Sequence, residues 1–243
     1  MPAEFSRTPP ELLVLFDVDQ TLLHTGGAGS AALQLAAEEV LGRPVDLDGM
    51  LYAGRTDLIL IREVLRRAGL NPEEHPDLIN AIKAAFFRHL PVTLRQSTRG
   101  RLMPGVPDIL ELLNQAGVCL GLCTGNFRYS AYLKLAHFGL ADYFAEGGFG
   151  DLYPDRADIA REAVRRCCRR FGLRLGPDRV VLIGDTPEDV RAGKAIGART
   201  VAVATGIYDE DALRKAGADL IFASFAEAER AVRETLGLVK TPR

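Results

Sequence analysis

Residues 12–21 read LLVLFDVDQT: five apolar side chains run directly into two carboxylates, Asp17 and Asp19, with one valine between them. Branched and aromatic residues without polar alternation predict a strand buried on both faces of a parallel sheet. The acidic end puts charge where such a strand surfaces, and open α/β sheets collect their ligands at that carboxyl edge. If the chain stays extended there, the period of two sends Asp17 and Asp19 to the same side. Two anions so placed repel unless a cation or proton lies between them, so the pair asks for a metal.

After this strand the pattern is helical for a long stretch. Residues 29–41, 57–68 and 76–94 carry apolar positions at helical spacing, separated by the breakers GRPVDLDG and GLNPEEHP. From residue 105 onward the texture alternates. Helices are predicted over 106–116, 129–138, 157–171, 187–196, 210–216 and 225–236. Strands are predicted over 118–123, 143–146, 179–183, 200–204 and 219–222. Such alternation predicts an α/β fold, a Rossmann-like parallel sheet with helices on both faces. The first strand belongs to that sheet, so the helical block is an insertion: a core of residues 1–23 and 100–243 carrying a helical cap of residues 24–99. The junctions fall near 23–27 and 95–105, the second rich in Ser, Thr, Arg and Gly.

The 243 residues suffice for a full core, and 47% hydrophobic with 26% charged residues is an ordinary globular balance that excludes disorder. With 30 basic against 32 acidic residues the net charge is only -2, and Lys and Arg scatter over helical stretches such as 161–170, so no nucleic-acid partner is expected. The start, MPAEFSRTPPE, has no apolar leader core and no later run would span a bilayer, so a cytoplasmic protein without membrane contact is expected. The four cysteines have neither zinc-site nor disulfide-framework spacing and read as reduced, mostly core residues. Oligomeric state leaves no trace in the sequence.

Four polar groups recur at predicted strand ends: Asp17 with Asp19 and Thr21; Thr124-Gly125-Asn126 after VCLGLC; Asp151, Asp155 and Arg156 in one loop; and Asp185 after VVLIG, followed by Thr186, Pro187, Glu188 and Asp189. Asp and Thr at helix starts are common caps, and Gly125 can be a mere turn residue. Buried strands ending in acids at two separate places are a stability cost with no structural purpose of their own.

Together these residues resemble the haloacid dehalogenase superfamily: a DxDxT motif at Asp17, Asp19 and Thr21, a Thr closing the next core strand at Thr124, and a GDxxxD-type motif at Gly184, Asp185 and Asp189. A helical cap after the first motif is similar to the subgroup that includes phosphoglycolate phosphatases and β-phosphoglucomutases. Two departures stand out. Gln20 replaces the glycine common before the motif threonine, and YPDRADIA offers Arg156 where many members carry a lysine. A guanidinium supplies the same charge with a bidentate grip. Lys134 and Lys194 are rival cations for that role, but each lies inside a predicted helix and reads rather as a surface or snorkelling residue.

The resemblance implies a Mg²⁺-dependent phosphatase acting on a small phosphorylated metabolite, phosphoglycolate-like or a sugar phosphate. Asp17 would be the nucleophile that forms an aspartyl-phosphate, and Asp19 the general acid, then base. Mg²⁺ would be held by Asp17, the main-chain carbonyl of Asp19 and Asp185, with Asp189 nearby or acting through water. Thr124, Gly125 and Asn126 would hold the phosphoryl oxygens, with Arg156 offsetting charge. Arg55, in Gly54-Arg55-Thr56-Asp57, resembles a substrate loop of the cap, although the same stretch reads equally as a helix cap by Thr56 or Asp57, and His24 could line the entrance but reads more readily as a structural histidine. The alternatives are a phosphomutase of the same fold and, outside enzymes, a signalling or silent binding protein with an acidic metal pocket. A dehalogenase would lack Asp19, and a Schiff-base hydrolase would want a cap lysine, where residues 25–80 have none.

Overall fold

A computed structural model describes residues 12–240, so the polar opening segment lies outside the described residues. The strands are β1 (Leu13–Phe16), β2 (Leu23–His24), β3 (Arg101–Leu102), β4 (Cys119–Thr124), β5 (Gly147–Phe149), β6 (Val180–Gly184), β7 (Arg199–Val203) and β8 (Leu220–Phe222). The helices are α1 (Ala28–Leu41), α2 (Asp57–Arg67), α3 (Pro76–Gln96), α4 (Val106–Gln115), α5 (Arg128–His137), α6 (Arg156–Phe171), α7 (Pro187–Ala195), α8 (Glu210–Ala216) and α9 (Ala228–Lys240).

Six strands form one sheet in the order β5-β4-β1-β6-β7-β8, all neighbours parallel. The strand LVLF is central and wholly buried, as its unbroken apolar run requires. Its alternation divides the core. Val14 and Phe16 join Leu120, Leu122 and Ile183 under α4, α5 and α9, while Leu13 and Leu15 join Cys123 and Leu182 under α6 and α7. Phe16 pairs with Leu122 on one side and Ile183 on the other, so the residues just beyond these three strands meet at one edge. The chain runs from β1 to β4 on one flank and returns to β6 on the other, which opens a crevice at this point.

Helices α1, α2 and α3 bury a separate apolar cluster, including Leu33, Ile61, Leu65, Ile82, Phe86 and Leu90, which Phe127 enters from the foot of α5. The fold is therefore the expected α/β sheet with an inserted helical block. Its two connections pair with each other as an antiparallel ribbon of β2 and β3, with Leu23 opposite Leu102, where the sequence pattern predicts no strand.

One strand differs from expectation. Residues 141–143 form a single 3-10 turn and the strand is Gly147–Phe149, not 143–146. A Cβ on Gly147 would lie 2.6 Å from the carbonyl oxygen of Leu122, and one on Gly148 2.1 Å from that of Ile159. Close approach of β5 to its neighbours selects GGF against its low strand propensity. The last helix begins at Ala228 rather than 225, leaving Phe225 to fill the core.

Candidate active site

At the carboxyl edge β1 supplies Asp17, β4 ends in Thr124, and β6 leads into Asp185; Thr124 and Asp185 are fully or almost fully buried and Asp17 nearly so. With Asp19, Gln20, Gly125, Asn126, Lys134, Arg156 and Arg55 they line a cavity of about 410 Å³ between the sheet edge and the inserted helices. The structure thus gathers the predicted site residues around one pocket. Asp189 stands just behind it.

Arg156, at the first turn of α6, approaches Asp17 Oδ1 at 3.2 Å and donates through the same Nη2 to Asp189 Oδ1. Asp155 caps that helix by accepting from the amides of Ala157 and Asp158, which fixes where Arg156 leaves the backbone. Asp189 is spoken for on both oxygens, because its Oδ2 accepts from the amide and hydroxyl of Thr186 in a capping box at the start of α7. It holds Arg156 rather than presenting an open carboxylate. Among the described residues Asp185 accepts from the Thr21 hydroxyl alone, at 3.3 Å.

Asp19 meets a different protein cation from Asp17. Its Oδ2 accepts from Lys134 Nζ at 2.6 Å and Asn126 Nδ2 at 2.8 Å, while Lys134 also donates to Asn126 Oδ1 at 2.5 Å. Each carboxylate has its own protein cation. The expectation that Lys134 is a surface residue is wrong: it is 4% exposed and lines the pocket, whereas Lys194 is exposed as expected. Ser130 and Lys134 are four apart on α5 and share the face turned to the site, a spacing visible in the sequence once the buried face of that helix is known.

Asn126 Nδ2 also donates to Thr124 Oγ1 at 2.8 Å, tying the strand end to the acid/base candidate. Gly125 is required by close packing: a Cβ there would stand 2.5 Å from the carbonyl oxygen of Arg55. The loop of the inserted block is pinned at this spot. The Asp57 amide donates to the Gly125 carbonyl at 2.9 Å, and Asp57 Oδ2 accepts from the Phe127 amide and Ser130 Oγ, both at 2.8 Å. Asp57 and Lys134 are the site residues that motif reading missed. His24 lines the pocket and its Nδ1 accepts from the Gly26 amide at 3.0 Å, so it does both things open to it. Asp151 has a structural role, accepting from the Arg128 amide and pairing with Lys83.

Burial raises the carboxyl of Asp17 to about 7; Arg156 opposes the shift, and Asp189 and Asp19 add to it. Burial first, then Asp17 and Asp189, push Asp185 up as well. Oxygens of Asp17, Asp185 and Asp189 lie within 4.8 Å of one another. Three buried carboxylates share one buried guanidinium, which leaves excess negative charge when all are ionised. Hard oxygens and that excess fit a divalent cation such as Mg²⁺.

A parallel sheet with its acidic crevice at the switch point and a helical insert after β1 defines a Rossmann-like α/β protein with an inserted helical block. Residues 12–197 match the haloacid dehalogenase-like hydrolases, and the chain belongs to that family. It is similar to a phosphoglycolate phosphatase of Synechococcus elongatus, 26% identical over 92% of this chain and 98% of that one. A second, of Caulobacter vibrioides, is 29% identical over 90% and 89% of the two chains. Among solved structures, a predicted phosphoglycolate phosphatase from Haemophilus somnus superposes with a TM-score of 0.71 at 21% identity, over 93% of this chain and 99% of that one.

Proposed function

We propose that this chain is a Mg²⁺-dependent phosphomonoesterase that works through an aspartyl-phosphate on Asp17. The observation that carries the reading is the division of labour between the two motif carboxylates: Asp17 faces Arg156, and Asp19 faces Lys134 and Asn126 across the same pocket. The relatives' names make phosphoglycolate the first compound to test, with sugar phosphates beside it.

Asp17 attacks phosphorus in line, forming the O–P bond as the bond to the alcohol oxygen breaks, and Asp19 gives that oxygen its proton. Asp19, now ionised, takes a proton from water, which attacks phosphorus and releases phosphate with Asp17 restored. Thr124 and the amides of Gly125 and Asn126 orient the phosphoryl oxygens, and Lys134 and Arg156 bring positive potential to them. Mg²⁺, held by Asp17, Asp185 and the carbonyl of Asp19 with Asp189 behind, would neutralise charge on the phosphoryl group. Residues 24–99 act as a cap whose loop at Arg55 closes the pocket against water. Reduced buried cysteines suit a cytoplasmic setting. Among the described residues no helix is long and apolar enough to cross a membrane.

The test is phosphate release from a panel of phosphomonoesters with Mg²⁺ and with chelator, for wild type and Asp17→Asn. Metal-dependent release that vanishes in the variant is expected, and equal release by both proteins removes the nucleophile. Adding a sugar phosphate acceptor separates hydrolysis from mutase transfer, and release from no ester at all returns the chain to a silent binding role.

A further inference from the structure

We infer that the preferred substrate is a phosphomonoester whose alcohol has an apolar body, alkyl or aromatic, larger than glycolate. The inference rests on the phosphatase reading and concerns the part of the pocket that the phosphate does not fill. Away from the strand ends, the cavity is walled by Leu33, Met50, Leu60, Ile61 and Phe86, all buried members of the insert's own apolar cluster. The hollow reaches into a hydrophobic core. At 410 Å³ the whole cavity is within the range that encloses a ligand well beyond a two-carbon acid.

The rim repeats the chemistry. Leu51 from the insert and Ile207 from the loop after β7 both line the pocket and are 44% and 65% exposed, so apolar surface faces the entrance from both sides. Large exposed apolar residues gathered at one opening mark a binding surface more than scattered ones do.

The two buried cations are anchored at the other end. Lys134 and Arg156 are committed to carboxylates at the strand edge. Arg55 makes no side-chain hydrogen bond or ion pair among the described residues, but its backbone abuts Gly125, at the phosphate end. Ser30 Oγ already donates to the Gly27 carbonyl and His24 Nδ1 already accepts from Gly26. A second carboxylate or a ring of sugar hydroxyls pushed against Leu33, Met50 and Phe86 would lose water without replacement partners. An alkyl or aromatic group loses only unfavourable hydration.

The experiment compares kcat/KM, with Mg²⁺, for ethyl, butyl, hexyl and benzyl phosphate, phosphoglycolate and glucose 6-phosphate. The alkyl series holds the reactivity of the leaving oxygen nearly constant. We expect kcat/KM to rise roughly two- to fourfold per methylene, as the transfer free energy of a buried CH₂ dictates, and benzyl phosphate to exceed phosphoglycolate at least about tenfold. The double variant Leu51→Ser, Ile207→Ser, at exposed positions where folding is not at stake, should lower the hexyl-to-ethyl ratio. A flat alkyl series, or phosphoglycolate or glucose 6-phosphate as the best substrate, overturns the inference while leaving the phosphatase intact. Release from no ester overturns both.

Discussion

Arg156 is the residue on which the electrostatics of the site turn. Its side chain is almost wholly covered between Asp17 and Asp189, and among the described residues neither acid pairs with another Lys or Arg. Arg156→Ala leaves two buried carboxylates uncompensated and should cost about 3–5 kcal/mol by denaturant unfolding. Arg156→Lys keeps the charge but can serve one partner at a time, so it should lose less stability yet drop kcat. An alanine variant as stable as wild type would contradict the pairing. The meeting of Asp17, Thr124 and Asp185 at one edge was legible in the sequence, because each ends or directly follows an apolar strand, and Arg156 was expected near them as a charge partner, which its approach to Asp17 matches in position. Lys134 was not. A lysine within an amphipathic helix is normally at the surface, and only the position of α5 above the crevice turns it inward. Gln20 has a positive φ of 63°, alone among the described non-glycine residues, and its carbonyl accepts from Thr205 Oγ1 at 2.5 Å. Tertiary hydrogen bonding there imposes a left-handed turn where glycine is customary, at a cost of about 1 kcal/mol.

At the scale of elements, Glu146 joins the edge strand to helices on opposite faces of the sheet. It lies just before β5 and accepts from Arg128 of α5 at 2.5 Å and from Arg166 of α6 at 2.9 Å. Burial would raise its carboxyl, but the bonds from Arg166 and Arg128 prevail and hold it at about 2, below the ordinary 4.5. A depressed folded-state pKa gives stability that is present above about 4.5 and lost as pH falls toward 2. Glu146→Gln should therefore destabilise by about 1–2 kcal/mol at pH 7, a figure lowered for the solvent exposure of Arg128, and by much less near pH 2. A penalty independent of pH would mean that packing, not charge, is lost. The central strands and most helices were readable because hydrophobic period and caps agree. The edge strand was not, since GGF obeys packing against Leu122 and Ile159 rather than propensity, and a two-residue ribbon such as β2 with β3 leaves no periodicity to read.

For the whole molecule, the acidic crevice makes global stability depend on pH and metal together. Asp17, raised by burial from 3.8 to about 7, keeps its proton in the folded state over a window where the unfolded chain has released it. Its contribution therefore falls as pH rises from about 4 to about 7, and Asp185 acts in the same direction. In chelator, Tm should decline more between pH 5 and pH 8 for wild type than for Asp17→Asn. Millimolar Mg²⁺ at pH 8 should raise the wild-type Tm and raise the variant's less, because a cation stabilises only the state that binds it. Equal metal-induced shifts in both proteins would remove Asp17 from the ligand set.

The ribbon of β2 and β3 has a consequence for how such a chain can be rebuilt. The polypeptide departs from the sheet layer at Leu23 and re-enters at Leu102, directly opposite, so everything between hangs from a gap of one inter-strand spacing, about 5 Å. A helical block whose two covalent connections leave the sheet layer side by side can change length with little strain on the strands beneath, provided that the Asp57 contacts to Phe127 and Ser130 are kept. The sheet edge and the helical block above it can thus diversify as separate inheritances, with the ribbon as their shared covalent seam.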